Sequence, residues 1–114
     1  MIDDSLPIID TTEAFQQCIA EHRATLIWFT GPDCRVCQDL KPKIAQLISE
    51  QFPQIHCFQV DCAASPALSA QRQIFTVPTL LVYLEGQEFI RLSRSFSPAQ
   101  LAAELDRPYR LLFS

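Results

Sequence analysis

Apolar residues in this chain fall into short continuous runs and helical repeats, and the order of the two predicts the architecture. Leu6-Pro7-Ile8-Ile9 reads as a short extended segment, followed by Asp10-Thr11-Thr12-Glu13, where Asp10 and Glu13 have the spacing of a capping box. The first helix is expected there, with Phe15, Cys18, Ile19 and His22 recurring at three and four residues on one buried face. Cys18 then serves as a small hydrophobe. Ala24 to Thr30 is a near-continuous apolar run rich in β-branched and aromatic residues, the pattern of a central strand covered on both faces, with Trp28 in the core. Gly31-Pro32-Asp33 turns the chain into a second helix, whose Val36, Leu40, Ile44, Leu47 and Ile48 keep helical spacing through Phe52. Pro42 lies inside it and predicts a kink.

Beyond Pro53 the pattern returns to strands. Ile55 to Val60 reads as one, and Ser65-Pro66 supplies an N-cap and a first-turn proline for a short helix through about Ile74. Thr79 to Leu84 is another core strand, turned by Glu85-Gly86-Gln87 into Glu88 to Leu92, which alternates as an antiparallel partner does. Ser97-Pro98 caps a last helix carrying Leu101, Ala102 and Leu105. Strands alternating with helices imply a parallel crossover, and the hairpin adds antiparallel strands. The expected fold class is therefore α/β, a central mixed sheet of four to five strands flanked by about four helices. The tail Arg107 to Phe113 carries more apolar residues than a free terminus needs, so it either folds back on the sheet or meets a second copy or another partner.

Length and charge narrow the function. With 114 residues, 48% of them hydrophobic, the chain is material for a single domain over 1–114 with one packed sheet-and-helix core. A net charge of −4 and nine basic residues without a cluster disfavour nucleic acid and anionic membranes as partners. Met1-Ile2-Asp3-Asp4 lacks the features of a secretory signal, and no apolar run reaches membrane-spanning length, so the expected location is the cytoplasm. Five cysteines, an odd number, fit a reducing compartment better than a fully paired extracellular framework.

Within that frame Cys34 and Cys37 are the candidate chemistry. Thiols at i and i+3 share one face of a helical turn, where they can close a short disulfide or both reach one metal ion, and the spacing does not choose. A metal site wants four ligands, and Cys18, Cys57, Cys62, His22 and His56 form no second knuckle. The pair stands where a strand hands over to a helix, and unpaired N–H groups and the macrodipole at a helix N-terminus favour a thiolate. Cys34 is thus the candidate nucleophile, and Cys37, one turn further in, the candidate resolving thiol.

A second feature is Thr76-Val77-Pro78-Thr79, a proline just ahead of a core strand. Strand, turn, CxxC helix with Pro42 five residues past the second cysteine, then Val77-Pro78-Thr79 before a strand running to Gly86, resembles the thioredoxin family from about residue 8 to residue 106. The resemblance implies a thioredoxin fold and a thiol–disulfide oxidoreductase of the protein-disulfide reductase type. It implies a cis bond at Pro78, with Val77 and Pro78 contacting the substrate chain. It calls for no bound cofactor. The implied partners are protein disulfides as substrates and a reductase or other dithiol as electron donor.

The motif departs from the family's usual form. Asp33 stands where a tryptophan usually precedes the first cysteine, Arg35-Val36 replace Gly-Pro, and Trp28 occupies the place of a strand carboxylate. A lysine that commonly neighbours that carboxylate aligns with Cys57, and losing both avoids an uncompensated buried charge. Arg94 replaces a glycine near the substrate groove. Asp33 is expected to raise the Cys34 pKa by repulsion and Arg35 to lower it. Cys62, after Asp61 at a strand end, is a structural thiol or a third redox or regulatory thiol. These departures leave an alternative: a non-enzymatic thioredoxin-like adaptor or chaperone-type binding module that uses the same groove or the apolar tail.

Overall fold

The computed structural model describes residues 6–114. The Met1 to Asp4 stretch read above lies outside the described residues. Eight elements follow in the order α1 (Thr12–Glu21), β1 (Ala24–Thr30), α2 (Arg35–Gln51), β2 (His56–Asp61), α3 (Pro66–Gln71), β3 (Thr79–Leu84), β4 (Gln87–Ser93) and α4 (Pro98–Leu112). The four strands form one mixed sheet in the order β2-β1-β3-β4. β1 runs parallel to β2 through the α2 crossover and antiparallel to β3, and β4 closes the hairpin. The short extended segment from Leu6 to Ile9 makes only an isolated bridge, Ile8 to Gln59, on the outer edge of β2.

The two faces of the sheet carry separate halves of the core, because side chains alternate along a strand. Leu26 and Trp28 of β1, with Leu80 and Val82 of β3, pack under α2 and α4 against Cys37, Ile44, Ile48, Leu101 and Leu105. Ile27, Phe29, Val60 and Leu81 face the other way, toward Phe15, Cys18 and Ile19 of α1 and Leu68 of α3. β1 is buried along almost its whole length, as a strand covered on both faces must be.

Helix ends differ from the expectations in instructive places. Thr11, not Asp10, caps α1, its Oγ1 accepting from the Ala14 N–H at 3.0 Å. His22 forms the C-terminal boundary of α1 and stacks on His56 with ring centroids 3.9 Å apart, so it does not extend the buried face. Ser65 precedes α3 but makes no side-chain cap; its hydroxyl donates to the Asp10 carbonyl at 3.4 Å, and the helix stops at Gln71. α2 runs unbroken through Pro42.

The apolar tail is helix. α4 continues through Pro108 to Leu112, and its last turn packs on the chain's own core: the Tyr109 ring meets Phe52 edge-on at 5.0 Å, and the Tyr109 hydroxyl accepts from the Gln54 N–H at 3.1 Å. Leu111 remains 70% exposed. Contacts with α2 and the loop after it supply what the local sequence lacks, since a proline inside a helix removes one of its hydrogen bonds.

Candidate active site

β1 delivers the chain to the site and α2 organises it. Gly31 to Asp33 turn off the end of the strand, Asp33 adopting φ 59°, and Cys34 becomes the N-cap of α2. Its Sγ accepts from the Cys37 N–H at 3.2 Å, one of the donors that a helix start leaves without an internal partner. Cys34 and Cys37 are joined as a disulfide, with Cα atoms 5.3 Å apart. Cys34 is half-buried, whereas Cys37 is 3% exposed among Trp28, Ile44 and Leu80. The two sulfurs are thus chemically unequal: one reaches the surface and sits on the helix N-terminus, the other is walled in.

The second predicted segment comes to the same place. The Val77–Pro78 peptide bond is cis. Pro78 is buried, and the Val77 Cγ2 lies 3.7 Å from where a Cβ on Gly31 would stand. The Thr79 hydroxyl donates to the Thr76 carbonyl at 2.7 Å, and the Arg94 N–H donates to the Pro78 carbonyl at 2.9 Å, so the loop is held from both sides. Val77 itself enters no backbone hydrogen bond among the described residues. Arg94 sits at φ 68°, a left-handed conformation that glycine adopts at no steric cost.

The flanking candidates separate. Asp33 and Arg35 are exposed beside Cys34, and neither joins an ion pair among the described residues. Trp28 is fully buried behind the pair, edge-on to Phe96 at 6.1 Å. Its indole N–H has no partner among the described residues. Cys57 packs into the same half of the core as Trp28, and burial pushes its thiol up to about 12. Cys62 goes elsewhere: its N–H donates to the Thr30 carbonyl at 2.8 Å, but its side chain packs against the α1–α3 half of the core. Burial raises its pKa, with Ser69 lowering and Asp61 raising it further. The structure therefore does not bring Cys62 onto the face that holds Cys34 and Cys37.

Two flanking features were not singled out in the sequence. Beside the pair, a groove of about 280 Å³ is lined by Val36, Asp39, Leu40, Lys43 and Phe96, with Arg94 at its edge. Behind it, a cavity of about 170 Å³ is bounded by Trp28, Thr30, Gly31, Cys34, Cys37, Gln38 and Lys41. Lys41 stands four residues after Cys37, so helical spacing alone placed it on the face of the resolving thiol. Among the described residues no group of three or more His, Cys, Asp or Glu is gathered for a metal ion. No helix there is long and apolar enough to cross a membrane.

Known proteins share this arrangement. The family model for Thioredoxin matches residues 7–107. The thioredoxin-like protein YdfQ of Bacillus subtilis is 31% identical over 98 residues, covering 86% of this chain and 87% of that one. The bifunctional thioredoxin reductase/thioredoxin of Mycobacterium leprae is 24% identical over 99 residues, which cover 85% of this chain and 22% of that one. In fold, the oxidised mitochondrial thioredoxin 3 of Saccharomyces cerevisiae superposes with a TM-score of 0.81 over 90% of this chain and 94% of that one, at 19% identity. A CxxC pair at disulfide distance in such a framework supports thiol–disulfide oxidoreductase chemistry in general. With its sheet order, its CxxC helix and this match over nearly its whole length, the chain belongs to the thioredoxin family.

Proposed function

We propose that this protein reduces disulfides of other proteins in the cytoplasm, with Cys34 attacking, Cys37 resolving, and Val77 and Pro78 holding the substrate chain. The observation that carries the reading is the inequality of the two sulfurs: Cys34 caps α2 at the surface and Cys37 is buried behind it. In the reduced protein the Cys34 thiolate attacks one sulfur of a substrate disulfide, forming a mixed disulfide and releasing the other sulfur as a thiolate that takes a proton from water. Cys37, deprotonated, then attacks Cys34 Sγ; the Cys34–Cys37 disulfide forms and the second substrate thiolate leaves. Two electrons pass to the substrate.

Val77, without backbone hydrogen bonds among the described residues, offers main-chain groups to an extended peptide in the manner of strand addition. The oxidised pair then needs an external donor. The Mycobacterium leprae relative joins a thioredoxin reductase to its thioredoxin in one chain, which favours a reductase as that donor. The test is reduction of insulin disulfides by the pre-reduced protein. Loss of turnover in both Cys34→Ser and Cys37→Ser is the expected result, and an inert wild-type chain favours the adaptor.

A further inference from the structure

Resolution asks Cys37 to become a thiolate in a place that opposes it. The thiol is almost fully enclosed, in the apolar half of the core that also holds Trp28, Ile44 and Leu80. Desolvation favours the neutral form of a buried thiol. Cys57 displays the effect on the same face of the sheet, where burial alone holds its thiol at about 12. Among the described residues no carboxylate lines the cavity behind Cys37: β1 contributes Trp28 and Thr30, the turn Gly31, and α2 Cys34, Gln38 and Lys41. β2 approaches with Gln59, which meets Lys41. Asp33 and Arg35 stand outside, beside Cys34. Among the described residues that bound this cavity, Lys41 carries the only charge.

Lys41 is held there. It is half-buried, and its Nζ donates to Gln59 Oε1 at 3.4 Å. The Gln59 amide is oriented in turn by the N-terminal segment, because its Nε2 donates to the Leu6 carbonyl at 2.7 Å. A carbonyl accepts only, so the amide nitrogen must face Leu6 and its oxygen is left for Lys41. The Gln59 backbone is fixed by the same segment, through Ile9 N–H to Gln59 O at 2.9 Å and Gln59 N–H to Pro7 O at 2.8 Å. One of the three ammonium donors is thus engaged at the cavity edge, and the other two have no partner among the described residues.

We propose that Lys41 is a positioning residue for the second exchange step: its ammonium, anchored by Gln59, stabilises the Cys37 thiolate that attacks Cys34 Sγ. This rests on the reading of Cys37 as resolving thiol. The ammonium keeps its proton throughout; the proton lost by Cys37 passes to water, and the released substrate thiolate takes one up. A cation a few ångströms from a thiolate lowers the thiol pKa by about one unit or more. Removing it costs about tenfold in thiolate fraction at neutral pH. A more basic thiolate recovers about threefold through its greater nucleophilicity, leaving resolution about threefold slower.

The test reads the proton directly. In the full chain carrying Cys34→Ser, which keeps an N-cap acceptor, the ¹³Cβ shift of Cys37 is followed against pH by NMR, with Lys41 intact, as Lys41→Met and as Lys41→Arg. The Cys37 midpoint is expected to rise by about one unit in Lys41→Met and to return toward the parent in Lys41→Arg. Cys18 and Cys57, with thiols pushed up to about 11 and about 12, report in the same spectra whether the fold is intact. Lys41→Gln replaces Lys41→Met if the latter unfolds. Coincident midpoints, or an arginine variant that behaves like the methionine one, overturn the proposal. No substrate is involved, so a chain that fails to reduce insulin still decides the role of Lys41.

Discussion

The Cys37 N–H donates to Cys34 Sγ at 3.2 Å. The bond makes the first cysteine the cap of its own helix, and a donor aimed at sulfur favours the anionic form once the disulfide is opened. In the reduced protein, alkylation of Cys34 is expected to have its midpoint below the ordinary thiol value of about 8.5. The measurement is iodoacetamide labelling of the reduced chain against pH, with the modified peptide identified by mass spectrometry. A midpoint at or above the ordinary value would show that the cap does not govern the thiol.

Trp28 ties the redox pair to the core, since one side lines the cavity behind the cysteines and another meets Phe96. Trp28→Ala is expected to cost about 3–5 kcal/mol of stability, read from denaturant titration. A cost under 1 kcal/mol would mean that the neighbours collapse into the space. Trp28 is also the sole tryptophan. Its emission is expected to change when the nearby disulfide is reduced in wild type and to stay constant in Cys34→Ser.

Cys18 and Cys57 bear on pH. Burial pushes the first up to about 11, with Glu21 adding to it, and the second up to about 12 by burial alone. A thiol whose folded pKa is raised is protonated in the native chain while the unfolded chain already ionises. Its stabilising contribution is therefore complete below the unfolded value of about 9 and is lost as pH rises toward the folded one. Thermal midpoints should fall between about pH 9 and 12, and Cys57→Ala should flatten that fall. An unchanged slope in Cys57→Ala would sink the assignment.

Tyr109 shows what the tail does. It meets Phe52 edge-on and Phe113 at 4.9 Å, and its hydroxyl accepts from Gln54. Tyr109→Phe is expected to cost about 0.5–1.5 kcal/mol through the lost hydrogen bond. Tyr109→Ala, losing both ring contacts as well, is expected to cost more, with thermal unfolding as the measure. If Tyr109→Ala leaves stability unchanged but alters the elution volume in sizing chromatography, the tail serves an interface between molecules and not the chain's own core.

Much of this protein was decided by local pattern. The run from Ala24 to Thr30 reads as a doubly covered strand, the spacing from Val36 to Ile48 as a helix, and the hairpin around Gly86 follows from turn chemistry. Cys34 and Cys37 were legible because two thiols at i and i+3 must share a helical face. Other features needed the assembled chain. Thr11 displaced Asp10 as cap of α1 because capping depends on backbone geometry at one residue. The tail stayed helical through Pro108 because Phe52 and Gln54, more than fifty residues earlier, complete its surroundings.

The same division runs through the site. Only the turn that follows β2 decides where Cys62 points: its N–H bonds Thr30 at the end of β1, yet its side chain packs into the opposite half of the core from Cys34. Val77 and Gly31 meet only because the loop before β3 folds over the turn after β1. Lys41 shares a face with Cys37 by helical spacing alone, yet its anchor on Gln59, and the orientation of that amide by Leu6, exist only once β2 and the N-terminal segment lie side by side. Sequence periodicity determines which residues share an element's face; only the packing of elements determines which charges and thiols share a cavity.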